Sequence, residues 1–145
     1  MDEPDFGVLL AIANATFVDG LQTHMRDSGY AGFSTRTGFV LRVLGTDALS
    51  LRKVADLLEV SSPAALKVVD AMVRDGYVER VAAPGDRRVR AIRATALGHA
   101  ALADARRFHA DFEESLGSRA TALRRGLTVI AQRASPAIPR VLREP

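Results

Sequence analysis

The sequence predicts a mainly α fold with one small β-hairpin (α+β), and three patterns predict it. Two short apolar-faced helical patterns meet at a Ser-Ser-Pro break, an arginine-rich pair of strand patterns follows them, and longer helical patterns occupy both ends of the chain. At 145 residues the chain has the size of one domain that can bury a core without disulfides or metals. We therefore predict a single domain over residues 1–145.

The first helical pattern is apolar on more than one side. A helix is predicted over residues 7–26, within an amino-terminal segment 5–27, and its main apolar side carries Leu10, Phe17, Leu21 and Met25. Such a helix packs against something beyond its own domain, and a second subunit is the economical choice. The apolar run 8–13 is too short to span a bilayer and follows an acidic start, which predicts a cytoplasmic protein without a membrane partner.

A second helix is predicted over residues 35–44, with Ser34 as its N-cap. The start of this helix contains Ser34, Thr35, Arg36 and Thr37. Two interpretations stay open for these side chains. They could contact phosphate through hydroxyls and helix N-terminal amides, or they could only cap the helix.

The centre of the chain predicts a helix-turn-helix. Leu51, Val54, Ala55 and Leu58 have the spacing of one apolar helical face, and Ser50 can cap that helix. A second helix is predicted from Pro63 to residue 74, with Ser62 as N-cap and Gly76 beyond its end. Glu59 lies in the turn where a glycine would adopt the left-handed conformation without cost, which predicts mild strain or a wider turn.

After Gly76 the pattern changes to two short strands, residues 77–81 and 88–93, around an Ala-Pro-Gly-Asp turn. Between positions 80 and 93 there are five arginines and one acid, Asp86: the arginines are Arg80, Arg87, Arg88, Arg90 and Arg93. The net charge of the chain is only +3, so this basic character is local. A positive hairpin suits phosphate oxygens or a narrow minor groove.

Helix, helix and basic hairpin in this order resemble the MarR family of bacterial transcription regulators. The residues that carry the likeness are Val54 and Ala55, Ser61 to Asp70, Gly76 to Val78, Asp86 to Arg88, and Thr95 with Gly98. The resemblance implies a winged helix-turn-helix lobe over residues 34–95. It also implies that Arg88 reaches the minor groove or its phosphates while Asp86 pairs with an arginine to hold the wing tip.

The helix predicted from Pro63 to residue 74 would then read bases. The predicted DNA contacts are Ser62, Pro63, Ala64, Leu66, Lys67, Arg74, Arg87, Arg88, Arg90 and Arg36. Lys67 can donate to guanine, whereas Ala64 and Leu66 can touch thymine methyl groups. Family members more often have hydroxyl or basic residues at the alanine and leucine positions. Recognition of the shape of the DNA is therefore favoured here. The open alternatives are a solvated helix face and a solvent-facing hairpin.

Two further helices are predicted after the wing, over residues 96–115 with Thr95 as cap and over 119–134, where Pro136 ends the helix. Both carry an apolar stripe. Segments 5–27 and 96–134 are therefore predicted dimerisation helices, which the family resemblance also implies. Two recognition helices on a twofold axis would reach major grooves about 34–36 Å apart, so the DNA target should be a near-palindrome.

The family resemblance also implies a small aromatic or phenolic effector, for which Phe17, His24, Tyr30 and Phe39 are the candidate pocket residues; the same residues could simply be core. No cofactor and no metal site are expected, because the chain has no cysteine and its three histidines lack ligand spacing. No catalytic constellation is present, so no enzyme is predicted.

These patterns predict a sequence-specific DNA-binding transcriptional regulator, a homodimeric repressor that a small molecule releases. The alternative is a winged-helix module that binds protein or RNA instead of duplex DNA.

Overall fold

Residues 2–133 are described by a computed structural model. Within them the chain forms six α-helices, a single turn of 3-10 helix and a three-stranded antiparallel sheet, which confirms the predicted mainly α fold with a small wing. The elements are α1 (Phe6–Asp27), α2 (Thr35–Leu44), β1 (Leu49–Ser50), α3 (Leu51–Leu57), α4 (Ser62–Arg74), β2 (Val78–Ala83), β3 (Asp86–Ala94), α5 (Ala96–Ser115), the 3-10 turn (Gly117–Arg119) and α6 (Ala120–Ala131). The predicted end of the last helix, at residue 134 and Pro136, lies outside the described residues.

Hydroxyl side chains start most of the helices around the helix-turn-helix. Ser50 accepts a hydrogen bond from the Lys53 amide at 3.1 Å, and Thr95 accepts one from the Gly98 amide at 3.1 Å. Each bond satisfies one of the amides that a helix start leaves without a partner. The predicted caps Ser50, Thr95 and Ser34 are therefore confirmed.

The predicted N-cap of α4 is wrong by one residue. Ser61, not Ser62, has the extended backbone of a cap, and its hydroxyl accepts from the Ala64 amide at 3.2 Å. Pro63 consequently occupies the second helical position, where its missing N–H still costs no helical hydrogen bond. Ser62 was predicted because it directly precedes Pro63, but its backbone is already helical.

The sheet has the order β1-β3-β2. Strand β1 was not predicted, because two residues are too few to show an alternating pattern; it pairs Leu49 with Ile92 and Ser50 with Ala91. Strands β2 and β3 form the wing and are joined by Pro84 and Gly85. Their pairing is irregular between Ala82 and Ala83, close to the tip. The wing is thus attached to the core at its base and free at its tip.

The core lies where α2, α3 and α4 meet the sheet and the start of α5. Its largest fully buried side chains are Tyr77, Met25, Leu41, Leu44, Val40, Val54, Val69 and Val78. The Tyr77 hydroxyl donates to the Ala31 carbonyl at 2.6 Å, so this buried phenol is satisfied. A Cβ atom at Gly98 would lie 2.1 Å from the Tyr77 carbonyl oxygen. Glycine therefore lets α5 begin directly against the recognition unit.

Helices α1 and α6 bury few of their residues. In α1 only Leu21 and Met25 are buried, and no residue of α6 is buried. Large apolar side chains on both helices are at least 40% exposed: Phe6, Val8, Leu9, Ile12, Leu123, Leu127, Val129 and Ile130. The rest of the described chain leaves these apolar side chains uncovered.

Helix α1 is also longer than the apolar run 8–13, which by itself is too short to span a bilayer. An 18-residue window of this 22-residue helix has a mean hydropathy of 1.3, which is compatible with a membrane span by length and composition alone. The carboxyl-terminal half of α1 instead packs on α5, where Phe17 lies 5.6 Å from Phe108 and 5.0 Å from Phe112, measured between ring centroids.

Candidate nucleic-acid interface

Helix α4 divides into a buried face and an exposed face. Ala65, Val69 and Met72 are buried in the core. All the positions of α4 that the sequence predicts as DNA contacts are exposed: Ser62, Pro63, Ala64, Leu66, Lys67 and Arg74. Leu66 is 41% exposed although it is apolar, which is the exposure expected of a side chain that meets the edge of a base.

The start of α2 lies beside this exposed face. Arg36 of α2 and Lys67 of α4 both line a hollow of about 210 Å³. Ser34 and Thr37 are engaged with each other in a capping box: the Thr37 amide donates to the Ser34 hydroxyl at 3.3 Å, and the Ser34 amide donates to the Thr37 hydroxyl at 3.1 Å. Capping therefore accounts for these two hydroxyls, whereas Thr35 and Arg36 remain exposed.

The wing presents three arginines to solvent. Arg87, Arg88 and Arg90 are exposed, and within residues 2–133 their guanidinium groups have no carboxylate partner. Arg90 lies opposite Ala82, whereas Arg87 and Arg88 lie in the irregular part of the pairing, close to the tip. Three cations around one projecting tip give the hairpin its positive charge.

The predicted role of Asp86 is corrected by its hydrogen bond. Its carboxylate accepts from the backbone amide of Arg88 at 2.9 Å rather than pairing with an arginine side chain. A short acidic side chain that binds the backbone two residues later is a common way to close a turn. Asp86 thus holds the tip while leaving the charge of the arginines available.

The other two wing arginines are neutralised, which the sequence analysis missed. Arg80 of β2 forms an ion pair with Asp70 of α4, and Arg93 of β3 pairs with Glu79 of β2 at 2.5 Å. Glu79 and Arg93 are direct cross-strand neighbours, so the hairpin pairing alone could have revealed them. The Asp70–Arg80 pair depends on how the hairpin packs on the helix, which no local pattern encodes.

Of the four candidate effector residues, Phe17 and His24 belong to α1, Phe39 belongs to α2, and Tyr30 lies between these two helices. Phe17 and His24 both contact Phe108, and His24 Nε2 lies 3.0 Å from Asp104. Burial would raise the pKa of Asp104, but the hydrogen bond from Arg107 and the neighbouring His24 outweigh it and lower that pKa. Tyr30 and Phe39 pack against the core.

A larger groove of about 760 Å³ runs between α1, α5 and α6. It is mostly apolar and includes Phe17 from the predicted set, together with Arg106 and His109. The ring of His109 lies 4.7 Å from that of Phe17, and burial, followed by the charge of Arg42, lowers its pKa. Leu123 and Leu127 of α6, two of the exposed apolar side chains, line this groove.

Within the described part of the chain, no three His, Cys, Asp or Glu side chains are grouped so that they could hold a metal ion.

Comparison with known proteins shows what the central lobe is similar to. The sequence profile of the MarR family matches residues 31–89, a segment that contains α2 to α4 and most of the wing. Over this segment the chain is similar to the MarR family, and its order of elements is that of a winged helix-turn-helix. This confirms the resemblance drawn from the sequence, and the matched segment contains the exposed α4 face together with Arg87 and Arg88 of the wing. No curated protein matches the chain.

Solved structures extend the MarR likeness to the flanking helices. FabT of Streptococcus pneumoniae in complex with DNA is 24% identical over 87% of this chain and 92% of its own, with a TM-score of 0.67. CouR of Rhodococcus jostii RHA1 bound to p-coumaroyl-CoA is 24% identical over 91% and 93%, with a TM-score of 0.66. A MarR family protein of Bacillus stearothermophilus is 19% identical over 88% and 91%, with a TM-score of 0.64. At these identities the likeness establishes the fold.

Proposed function

We propose that this MarR-type protein is a cytoplasmic, homodimeric transcriptional regulator that binds duplex DNA and represses a promoter until a small molecule releases it. The observation that carries the proposal is the separation of charges on the recognition lobe. Lys67, Arg74 and the three free wing arginines are exposed, whereas carboxylates neutralise Arg80 and Arg93. Free cations on a helix and a hairpin that are adjacent in space suit a polyanion with a groove.

In this proposal α4 enters the major groove. Lys67 donates to guanine, and Ala64 and Leu66 lie against thymine methyl groups. Ser62, Pro63, Arg74 and Arg36 lie along the phosphates, while Arg87, Arg88 and Arg90 follow the minor groove. With a single long donor on the reading face, much of the sequence preference comes from the shape and flexibility of the DNA.

The dimer accounts for the uncovered helices. A second copy would bury the exposed apolar side chains of α1 and α6 and fill the groove between α1, α5 and α6. A twofold axis through these helices gives the complex two recognition helices and a near-palindromic operator. The burial of α6 would then occur only in the dimer, because this helix buries no residue in the single chain.

An effector would act through this same architecture. CouR is similar in fold and is bound to p-coumaroyl-CoA in its structure, which supports a small aromatic or phenolic effector here. We assign it to the region of Phe17, His24, Tyr30 and Phe39, where the recognition lobe meets α1 and α5. The effector must prefer one spacing of the two recognition helices, since only differential affinity shifts an equilibrium between conformations.

Titration with duplex DNA at several salt concentrations tests the proposal. The logarithm of the binding constant should fall steeply with the logarithm of the salt concentration. Arg88→Ala should weaken binding to every sequence and reduce that slope by about one. Lys67→Ala should cost roughly 1–3 kcal/mol on the preferred site and relax the preference at one base position. Arg26→Ala, which removes the same charge from the exposed end of α1, is the control and should change neither quantity.

Two results would contradict the assignment. If Arg88→Ala and Lys67→Ala weaken every duplex equally, the division between phosphate and base contacts is wrong. If single-stranded RNA or a protein competes with duplex DNA on equal terms, the alternative winged-helix function replaces the proposed one.

A further inference from the structure

A carboxylate lies in the middle of the face that the proposed function turns toward DNA. Asp70 follows Lys67 by three positions and precedes Arg74 by four, so the three side chains form one row along α4. Asp70 is itself exposed, with 55% of its side chain accessible. A negative charge at this place would repel phosphates if it were left free.

Asp70 is not free, because it binds the wing. Its Oδ1 accepts from Arg80 Nη2, and Arg80 belongs to β2. Arg80 pairs in register with Ile92, which in turn pairs with Leu49 of β1. The ion pair therefore lies one residue pair before the hairpin leaves the three-stranded sheet, since Val81 and Ala91 still lie beside Ser50 and only two strands continue beyond them toward the tip.

This position gives the pair control over the angle of the wing. Beyond Ala91 every residue of β3 toward the tip is exposed, so core packing restrains the hairpin only at its base. The chain enters β2 from α4 through Asp75 and Gly76, and Gly76 has a φ of +86°. A link from α4 to β2 fixes the hairpin relative to the recognition helix where these two elements diverge.

The second ion pair of the wing supplies a comparison within the same molecule. Glu79 and Arg93 are also a carboxylate and a guanidinium, with similar exposures of 46% and 51%. They join β2 to β3, which the backbone ladder already holds together. Only the Asp70–Arg80 pair connects two elements that the backbone does not hold in register.

We propose that Asp70 is a positioning residue for DNA recognition. By holding Arg80 it keeps the wing at one angle to α4, so that Arg88 and Lys67 meet the same duplex together, and it keeps Arg80 from binding phosphate independently of sequence. The effect on DNA recognition rests on the proposed DNA binding, whereas the Asp70–Arg80 link between α4 and the wing rests only on the geometry.

Asp70→Asn and Glu79→Gln form a matched pair of variants. Each removes one negative charge and releases one arginine, and each is isosteric. Binding is measured on a duplex selected for tight binding and on a duplex of unrelated sequence, over a series of salt concentrations. Glu79→Gln should tighten both complexes and steepen both salt slopes by about 0.9, with the ratio of the two affinities unchanged.

Asp70→Asn should tighten the unrelated complex in the same way but lower the ratio of selected to unrelated affinity by about two- to fivefold, the range expected of an exposed ion pair. Asp70→Glu, which keeps a carboxylate within reach of Arg80, should restore the ratio. A ratio in Asp70→Asn equal to that in Glu79→Gln would overturn the proposal.

A second measurement tests the link without DNA. The chain has no cysteine, so spin labels can be placed at Ala64→Cys on α4 and Pro84→Cys at the wing tip. The distribution of distances between the labels should broaden in Asp70→Asn and stay narrow in Glu79→Gln. Equal distributions would overturn the positioning role. Absence of DNA binding in the wild-type chain would overturn the proposed function, and the label distances would still decide on the link.

Discussion

Glu59 has a φ of 54°, the left-handed region that suits glycine, and it is the one residue other than glycine with a positive φ among those described. The turn between α3 and α4 imposes this conformation, because the Val60 amide must reach the Ala55 carbonyl at 3.0 Å to close the end of α3. Strain at this position was expected from the sequence, since the turn lacks its glycine. A conformation of this kind costs a side-chain-bearing residue about 1–2 kcal/mol.

Replacing Glu59 should therefore separate backbone strain from side-chain contacts. Glu59→Gly should be about 1 kcal/mol more stable than Glu59→Ala, because both lose the carboxylate and only glycine adopts positive φ freely. Chemical denaturation of the two variants gives this difference directly. Equal stability of the glycine and alanine variants would show that the turn relaxes and stores no strain.

In the wing, a count of charges does not show which arginines are neutralised by carboxylates. All five arginines were visible in the sequence, but two of them meet carboxylates, and only the folded hairpin and its packing decide which two. Asp86 was correctly placed at the tip, yet it binds a backbone amide. Short-range chemistry was predictable here, whereas pairing between elements was not.

At the scale of elements, the helices with strong end signals were the most predictable. Helix α5 was expected over residues 96–115 and spans Ala96–Ser115, because Thr95 caps it and a Leu-Gly break follows it. The wing strands were found close to their predicted places, but β3 runs further toward the tip, from Asp86. Strand β1 escaped prediction because its two residues are defined by their partner Ile92 and not by their own pattern.

The corrected start of α4 leads to a comparison of two adjacent serines. Ser61→Ala should destabilise the protein by about 1 kcal/mol, because it removes the acceptor for the Ala64 amide. Ser62→Ala should leave stability nearly unchanged, since Ser62 is already helical and exposed. Thermal unfolding of the two variants measures both effects. A larger loss in Ser62→Ala would return the cap to the originally predicted residue.

At the scale of the whole molecule, the terminal helices were predicted to exceed the needs of one chain. The single chain is consistent with this prediction at α6. This helix is joined to α5 by the Arg124–Glu113 ion pair, but none of its residues is buried. The dimer itself stays a prediction. Its geometry decides whether two recognition helices can engage one duplex.

A charge in the groove should prevent the proposed dimer. Leu127 is 45% exposed and lines the groove between α1, α5 and α6. Leu127→Glu would place a carboxylate in a surface that a second copy must desolvate, so it should yield monomers with much weaker operator binding. Sedimentation velocity measures the mass. Thr46→Glu, an equal charge change in the exposed loop after α2, should remain dimeric, and a dimer that survives Leu127→Glu would contradict this interface.

Selection of bound sites from random duplexes tests the central claim most directly, because it examines the recognition helix, the wing and the twofold axis together. The account predicts a near-palindrome whose half-sites lie about one helical turn, or 10–10.5 base pairs, apart. Two chains should bind each selected duplex. An unrepeated site bound by one chain, or no enrichment of any sequence, would contradict it.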